Sequence, residues 1–352
     1  MKNQSFNFYL FLFVSVLSFL SCQQKPVANN IATATGYFTK TDTGVQSGGV
    51  KMISISTPKG KFNVWTKRFG NNPTIKLLLL NGGPGLTHEY FECMENFLPA
   101  QGIEFIYYDQ LGCGNSTASA DTSLWDLPRY VEEVEHVRRA LHLDSSNFYL
   151  LGHSWGGILA MQYALKYQQH LKGLIISNMM SSCPDYGKYA EEVLSKQFDP
   201  KILDTIRQIE AKKDFSNPLY MELLRPNFYA KHICRIPLNK WPEPITRSFA
   251  KTNQSLYVTM QGPSEFGISG KLLLWDVKAE LPKLTIATLT IGGAFDTMDP
   301  EHMKWMSTQV KNGRYLHCPN GSHMSMYDDQ EVYMNGLIHF LQDVDKGNFN
   351  KK

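Results

Sequence analysis

Short apolar segments that end at a loop recur along this sequence and limit the folds open to it. They occupy residues 76–80, 105–108, 147–151, 174–176 and 287–291. Strands that are apolar on both faces belong in a parallel sheet covered by helices, so these segments predict the strands of such a sheet. Amphipathic stretches between them, such as residues 124–143, predict helices. The alternation predicts an α/β fold with a mostly parallel sheet flanked by helices.

This alternation stops between residues 181 and 282, where amphipathic segments broken by prolines predict a mostly helical insertion. Ligands of open α/β sheets bind at the carboxyl ends of the strands, so an insertion leaving that edge would cover the site. We therefore expect residues 47–180 and 283–345 to form the core, with residues 181–282 as a helical cap.

The N-terminal 21 residues carry one charged side chain, Lys2, and residues 8–20 are apolar apart from two serines. This run is shorter than the roughly 20 apolar residues that span a bilayer, but its length suits a signal peptide. It ends at Ser21-Cys22, which resembles a bacterial lipobox. The resemblance implies a signal peptide over residues 1–21 and an exported protein whose lipidated Cys22 anchors it to the periplasmic or surface face of a membrane. Residues 22–46 are polar and predict a flexible tether. The alternative is a plain cleaved signal peptide in which Cys22 is incidental.

Charge and motifs exclude several function classes. The 35 Lys and Arg against 32 Asp and Glu leave a net charge of +3, too small for an electrostatic nucleic-acid binder. The sequence contains no G-x-x-x-x-G-K-[ST], C-x-x-C or H-E-x-x-H pattern, so we expect neither a metal nor a cofactor. The six cysteines are scattered and do not form a disulfide scaffold. Without Cys22 their number is odd, so at least one is free or pairs between chains.

A candidate nucleophile follows one of the predicted strands. Residues 152–156 read G-H-S-W-G, and residues 158–167 after them predict a helix. This strand, G-x-S-x-G and helix order is the context of a nucleophile elbow, where small flanking residues permit a tight turn that exposes the serine hydroxyl. The helix N-terminus also favours negative charge that develops there. Ser154 is therefore the predicted nucleophile, and the alternative is a glycine-rich turn with a capping serine.

A serine nucleophile needs a general base and an acid that orients the base, in the chain order Ser, Asp, His for this architecture. Asp296 follows the predicted strand 287–291, and His323 follows a further predicted strand at 314–318. These two residues are the predicted acid and base. Their rivals are Asp299, which precedes a proline and is placed to cap a helix, and His317, which lies inside a predicted strand.

The loop after the strand at residues 76–80 reads N-G-G-P-G. Glycines allow backbone N–H groups to approach a bound oxygen without a Cβ in the way. The elbow architecture takes one oxyanion donor from this loop and one from the residue after the serine, so we predict the N–H groups of Gly83 and Trp155. The alternative is a structural turn, which Gly-Pro-Gly also favours.

Together these motifs resemble the proline iminopeptidases of the α/β-hydrolase superfamily, in particular the tricorn-interacting aminopeptidase branch. The resemblance covers residues 48–341 and rests on N-G-G-P-G at 81–85, D-Q-L-G-C-G-N-S at 109–116, G-H-S-W-G-G at 152–157, G-S-H at 321–323 and M-Q-G-P-S-E-F at 260–266. It implies that Glu265 binds the free amino group of a substrate. Two positions depart from the family: Asn81 replaces a histidine, and Thr297 replaces a second acidic residue, which weakens the case for strict N-terminal proline specificity. The Asp109 carboxylate is expected to hold backbone N–H groups of its loop.

The motifs favour a serine aminopeptidase that releases N-terminal proline, or another small residue, from short peptides. An esterase or other acyl hydrolase with the same Ser, His and Asp is the first alternative. A non-catalytic peptide-binding lipoprotein is the second, but binding alone would not require all three residues. The sequence carries no signal for an oligomeric state.

Overall fold

A computed structural model describes residues 49–349, and in this part of the chain eight strands form one sheet. The strands are β1 (Val50–Thr57), β2 (Gly60–Phe69), β3 (Lys76–Leu80), β4 (Glu104–Asp109), β5 (Phe148–His153), β6 (Gly173–Ser177), β7 (Ala287–Gly293) and β8 (Asn312–Cys318). Their order across the sheet is β1-β2-β4-β3-β5-β6-β7-β8. Strands β1 and β2 pair antiparallel, β2 and β4 pair antiparallel, and all later pairs are parallel. The predicted α/β fold with a mostly parallel sheet is confirmed.

The parallel strands bring the loops of the predicted site to one edge. Leu80 pairs with Gly152, His153 with Ser177, and Gly293 with Cys318. Because all of these residues end their strands or lie next to the end, the loops that follow them leave the sheet on the same side. This edge is where the elbow, the glycine-rich loop and the acid and base loops meet.

Helices cover both faces of the sheet, and every residue of β5 and β6 is buried. The α-helices are α1 (Leu127–Ala140), α2 (Trp155–Tyr167), α3 (Cys183–Tyr189), α4 (Pro200–Ala211), α5 (Pro218–Leu224), α6 (Glu243–Ala250), α7 (Gln254–Met260), α8 (Pro300–Gln309), α9 (Ser325–Asp328) and α10 (Gln330–Asp345). Helix α1 is shorter than the predicted 124–143. Pro128 lies in its first turn, and Leu124 belongs to a separate 3₁₀ turn, Thr122–Leu124.

Residues 181–282 are mostly helical. They contain α3 to α7 together with two π-helical segments, Ala190–Leu194 and Arg225–Ile233. Within this described stretch, strand pairing is limited to an isolated bridge between Ser182 and Asp276. The second π-helical segment contacts the loop of the predicted base, since the His323 N–H donates to the His232 carbonyl at 2.9 Å.

The predicted signal peptide, the tether and Cys22 lie outside the described residues. Within residues 49–349, none of the helices has the length and apolar composition needed to cross a bilayer. The five cysteines of this part are free and buried, which agrees with the odd number that the sequence leaves without Cys22.

Candidate active site

Ser154 lies on a sharp turn between β5 and α2. Its backbone has φ +55° and ψ −127°, values that non-glycine residues rarely adopt. The flanking glycines are required by space, because a Cβ at Gly152 would collide with the Gly156 carbonyl and one at Gly156 with the Leu80 carbonyl. The sequence therefore folds locally into the tight strand–turn–helix expected of a nucleophile elbow.

The predicted acid and base lie in contact. His323 Nδ1 is 2.7 Å from Asp296 Oδ1, and both side chains are almost fully buried. Asp296 follows β7 and His323 follows β8, so neighbouring parallel strands deliver them to the same edge. An aspartate bonded to Nδ1 keeps the proton on that nitrogen and leaves Nε2 as the proton acceptor.

Asn178 belongs to this site although no sequence motif points to it. It follows β6 with φ +53°, and its Nδ2 donates to Asp296 Oδ2 at 2.7 Å and to the Ser322 carbonyl at 3.1 Å. Its Oδ1 accepts from the Ser177 hydroxyl at 2.8 Å, which fixes the orientation of the amide. Its place after a parallel strand is the same signal that pointed to Ser154 and Asp296.

Ser154 and His323 line one cavity, together with residues from the glycine-rich loop and the cap. The lining residues are Gly82, Gly83, Leu86, Tyr90, His153, Ser154, Ile233, Phe249, Glu265, His323 and Met324. Among residues 49–349, the Ser154 hydroxyl has no hydrogen bond, including none to His323. Serine–histidine contacts of this kind often tighten only when substrate is bound.

The glycine-rich loop lies against the nucleophile. A Cβ on Gly82 would be 2.9 Å from the Ser154 Cβ, and Gly83 has φ +110°, which favours glycine. The Gly82 N–H donates to the Tyr90 hydroxyl at 2.6 Å. The Gly83 N–H has no acceptor among the described residues, and Trp155, the first residue of α2, has no acceptor within its helix. Two N–H groups near the nucleophile are thus available to an oxyanion.

Gln110 links the two sides of this candidate oxyanion hole. Its Oε1 accepts from the Trp155 indole N–H at 2.8 Å, and its Nε2 donates to the Asn81 carbonyl at 3.2 Å. The Asn81 side chain donates in turn to the Leu86 carbonyl at 2.7 Å and so closes the loop on itself. Asn81 therefore has a structural role in this loop.

Glu265 reaches the same cavity from the cap and is 6% exposed. The Tyr257 hydroxyl donates to its Oε1 at 2.6 Å, while the hydroxyls of Tyr186 and Tyr229 hold its backbone carbonyl and N–H. No lysine, arginine or histidine of the described chain forms an ion pair with it. Burial raises the pKa of Glu265, against the charge of His323 and the Tyr257 hydrogen bond, which lower it. A buried carboxylate without a cation is costly, so this position suits a positively charged ligand.

The other residues that the sequence suggested lie near the site or have structural roles. Thr297 is fully buried, and its hydroxyl is 3.3 Å from both Asp296 Oδ1 and His323 Nδ1. The Asp109 carboxylate accepts from the backbone N–H groups of His88 and Asn115, as expected for a structural role. Asp299 caps α8, which confirms its predicted role, and His317 lies exposed in β8. Within residues 49–349, no group of three or more His, Cys, Asp or Glu side chains has an arrangement suited to a metal ion.

The fold and this site define the class to which the protein belongs. Residues 76–330 match the family model of the α/β-hydrolase fold. The chain is 60% identical over 299 residues to a proline iminopeptidase of Flavobacterium johnsoniae and 58% identical over 301 residues to one of Elizabethkingia meningoseptica. Each match covers 85% of this chain and the whole of the relative. The crystal structure of a Mycobacterium smegmatis proline iminopeptidase superposes with a TM-score of 0.73 at 28% identity, over 84% of this chain and 99% of that one.

The chain is therefore an α/β-hydrolase. Within that class it belongs to the proline iminopeptidase family.

The charge around His323 predicts the pH dependence of the reaction. Burial lowers the pKa of His323, but the charge and hydrogen bond of Asp296, with smaller effects of Glu265 and Asp328, outweigh it and raise the pKa above the ordinary 6.5. A general base works when neutral, so kcat/KM should rise with pH to a midpoint above 6.5. The measurement is kcat/KM against pH for an ester without an amino group, so that ionisation of the substrate does not contribute. A midpoint below the ordinary histidine value would contradict this reading of the site.

Proposed function

We propose that this protein is a serine aminopeptidase that releases N-terminal proline, or another small residue, from short peptides. The observation that carries the proposal is Glu265, a buried carboxylate that forms no ion pair within the described chain, in one cavity with Ser154 and His323. A free N-terminal ammonium supplies the missing charge, whereas a neutral ester or an internal peptide bond does not. The names of the relatives from Flavobacterium johnsoniae and Elizabethkingia meningoseptica agree with this substrate class.

In the proposed mechanism, His323 Nε2 takes the hydroxyl proton as Ser154 Oγ attacks the carbonyl carbon of the first residue. Asp296 holds the imidazole through Nδ1 and stabilises the imidazolium that forms. The N–H groups of Gly83 and Trp155 stabilise the oxyanion. His323 then gives its proton to the departing amine, and water hydrolyses the acyl-enzyme through the same base.

The cavity supports a small first residue. Its apolar lining comes from Leu86, Ile233, Phe249 and Met324, which suits the ring of proline or a short aliphatic side chain. Thr297 supplies no second carboxylate, so we propose weaker binding of the amine than in relatives with two acids.

The test of this function is the comparison of a prolyl anilide with a nitrophenyl ester of a short fatty acid. An aminopeptidase is expected to show the higher kcat/KM on the anilide, although the ester is intrinsically the more reactive substrate. A protein that hydrolyses the ester well and the anilide not at all would instead be an acyl hydrolase with the same nucleophile.

We further propose that the protein is exported and anchored to a bacterial membrane through lipidated Cys22, on the periplasmic or surface face. The support is the short apolar run that ends at Ser21-Cys22 and the polar stretch that follows. Replacement of Cys22 by alanine should abolish lipidation and release the protein from the membrane fraction or leave it unprocessed. Intact-mass and fractionation measurements check this, and a mature N-terminus other than Cys22 would contradict it.

A further inference from the structure

A chain of hydrogen bonds joins the oxyanion loop to the loop of the catalytic base. The Gly82 N–H donates to the Tyr90 hydroxyl at 2.6 Å, and this hydroxyl lies 3.1 Å from His153 Nδ1. The other nitrogen of that ring, His153 Nε2, is 2.8 Å from the carbonyl oxygen of His323. All four residues are buried, so bulk water has little access to these hydrogen bonds. We call this series the Tyr90–His153 chain.

The direction of each bond in the Tyr90–His153 chain follows from chemistry. A carbonyl oxygen only accepts, so His153 Nε2 must carry the proton that it donates to His323. Burial, aided by the charge of His323, lowers the pKa of His153 to about 3, so its ring is neutral. Its Nδ1 is therefore an acceptor, and the Tyr90 hydroxyl donates to it while accepting from Gly82. Each hydrogen bond of the chain therefore has only one possible donor and one possible acceptor.

We infer that Tyr90 and His153 are positioning residues. They hold the oxyanion loop and the base loop in place relative to the nucleophile Ser154. Tyr90 occupies the Gly82 N–H and so leaves Gly83 to present its N–H to the oxyanion. His153 lies next to Ser154 in the elbow, and its Nε2 atom holds the backbone of His323 by a hydrogen bond to the His323 carbonyl oxygen. The His323 N–H is held from the opposite side by the His232 carbonyl of the cap at 2.9 Å. Neither Tyr90 nor His153 is required to transfer a proton.

The test uses Tyr90→Phe, which keeps the ring that lines the cavity and removes only the hydroxyl. Displacement of a reacting group by about 1 Å can cost on the order of 100-fold in rate, so we expect kcat to fall by roughly 10- to 100-fold with KM little changed. Tyr107→Phe is the matched control, because Tyr107 is equally buried and its hydroxyl bonds to the Phe91 carbonyl and Glu95, away from the cavity. Melting temperatures of both variants separate loss of stability from loss of positioning.

The second readout is the rate of inactivation by a fluorophosphonate. In that reaction the Ser154 Oγ–P bond forms, the P–F bond breaks, fluoride leaves and the hydroxyl proton passes to His323. It needs the nucleophile, base and oxyanion donors but no free amine, so it tests the inference even if the aminopeptidase proposal fails. Tyr90→Phe should slow inactivation by the same factor as kcat. Unchanged kcat and unchanged inactivation in a folded Tyr90→Phe protein would overturn the inference.

A double-mutant cycle shows whether Tyr90 and His153 act together through the Tyr90–His153 chain or through two independent contacts. His153→Leu keeps a buried side chain and removes both of its hydrogen bonds. If the two residues act through one chain, the Tyr90→Phe and His153→Leu double variant should lose no more activity than the more damaged single variant. Losses that multiply would show that the residues act separately and would contradict the coupling.

Discussion

Replacement of Ser154 by alanine is expected to lower kcat on a prolyl anilide by about 10⁴- to 10⁶-fold. The loss is this large because no other group in the proposed mechanism can form the acyl-enzyme. Folding should be unaffected, since the Ser154 hydroxyl has no hydrogen bond among the described residues and alanine keeps the Cβ that the φ +55° turn already accommodates. Steady-state kinetics with a melting curve measure both effects. His323→Ala should reduce kcat nearly as much.

Ser195→Ala is the matched control for this variant. Ser195 is buried to a similar degree, 6% exposed against 5% for Ser154, but it lies in the cap and its hydroxyl bonds to the Glu191 carbonyl. Its replacement should leave kcat unchanged. Near-normal activity of Ser154→Ala or of His323→Ala, with protein of proven purity, would refute the assignment of nucleophile or base.

Glu265→Gln is expected to damage the hydrolysis of free-amine substrates selectively. Glutamine keeps an oxygen that accepts from the Tyr257 hydroxyl, so the variant removes the charge and little else. Loss of a buried charge partner costs roughly 2–5 kcal/mol, which should appear as a higher KM for a prolyl anilide. Hydrolysis of an uncharged ester by the same variant should barely change, because Ser154, His323 and Asp296 stay in place.

Glu210→Gln is the corresponding control. Glu210 is also a cap glutamate bonded to a tyrosine hydroxyl, that of Tyr220 at 2.8 Å, but it pairs with Arg207 and does not line the catalytic cavity. The Glu210→Gln replacement should change neither the hydrolysis of the prolyl anilide nor that of the ester. If Glu265→Gln reduces ester and anilide hydrolysis equally, the carboxylate supports the fold of the site and does not recognise the amine.

Local patterns in the sequence were sufficient to predict the sheet. The predicted strand at 76–80 is β3 itself, and the other predicted strands agree with the structure within a few residues. The reason is that strands buried on both faces must be apolar throughout, which leaves a continuous signal. The predicted start of helix α1 is too early, because the amphipathic pattern begins in the 3₁₀ turn Thr122–Leu124 that precedes the helix. Periodicity alone does not separate this turn from the helix.

The contacts that organise the site were harder to predict from the sequence. Asn178 meets Asp296 across 118 positions of sequence, and Tyr90 meets His153 across 63. Such pairs depend on which strands are neighbours and on how loops fold back, and neither has a local pattern. The tyrosines around Glu265 come from three different helical segments of the cap. The sequence pointed to Glu265 through a family resemblance, but its burial without a cation became visible only in the structure.

The most direct test of aminopeptidase activity is the ratio of kcat/KM for proline 4-nitroanilide to kcat/KM for N-acetylproline 4-nitroanilide. The two substrates share the scissile bond and the ring but differ at the nitrogen that Glu265 is proposed to bind, which is charged in the first and acetylated in the second. A buried charge pair worth roughly 2–5 kcal/mol predicts that the free amine is preferred by about 30-fold or more. Equal hydrolysis of the two anilides, or a preference for the acetylated one, would contradict the assignment of this protein as an aminopeptidase.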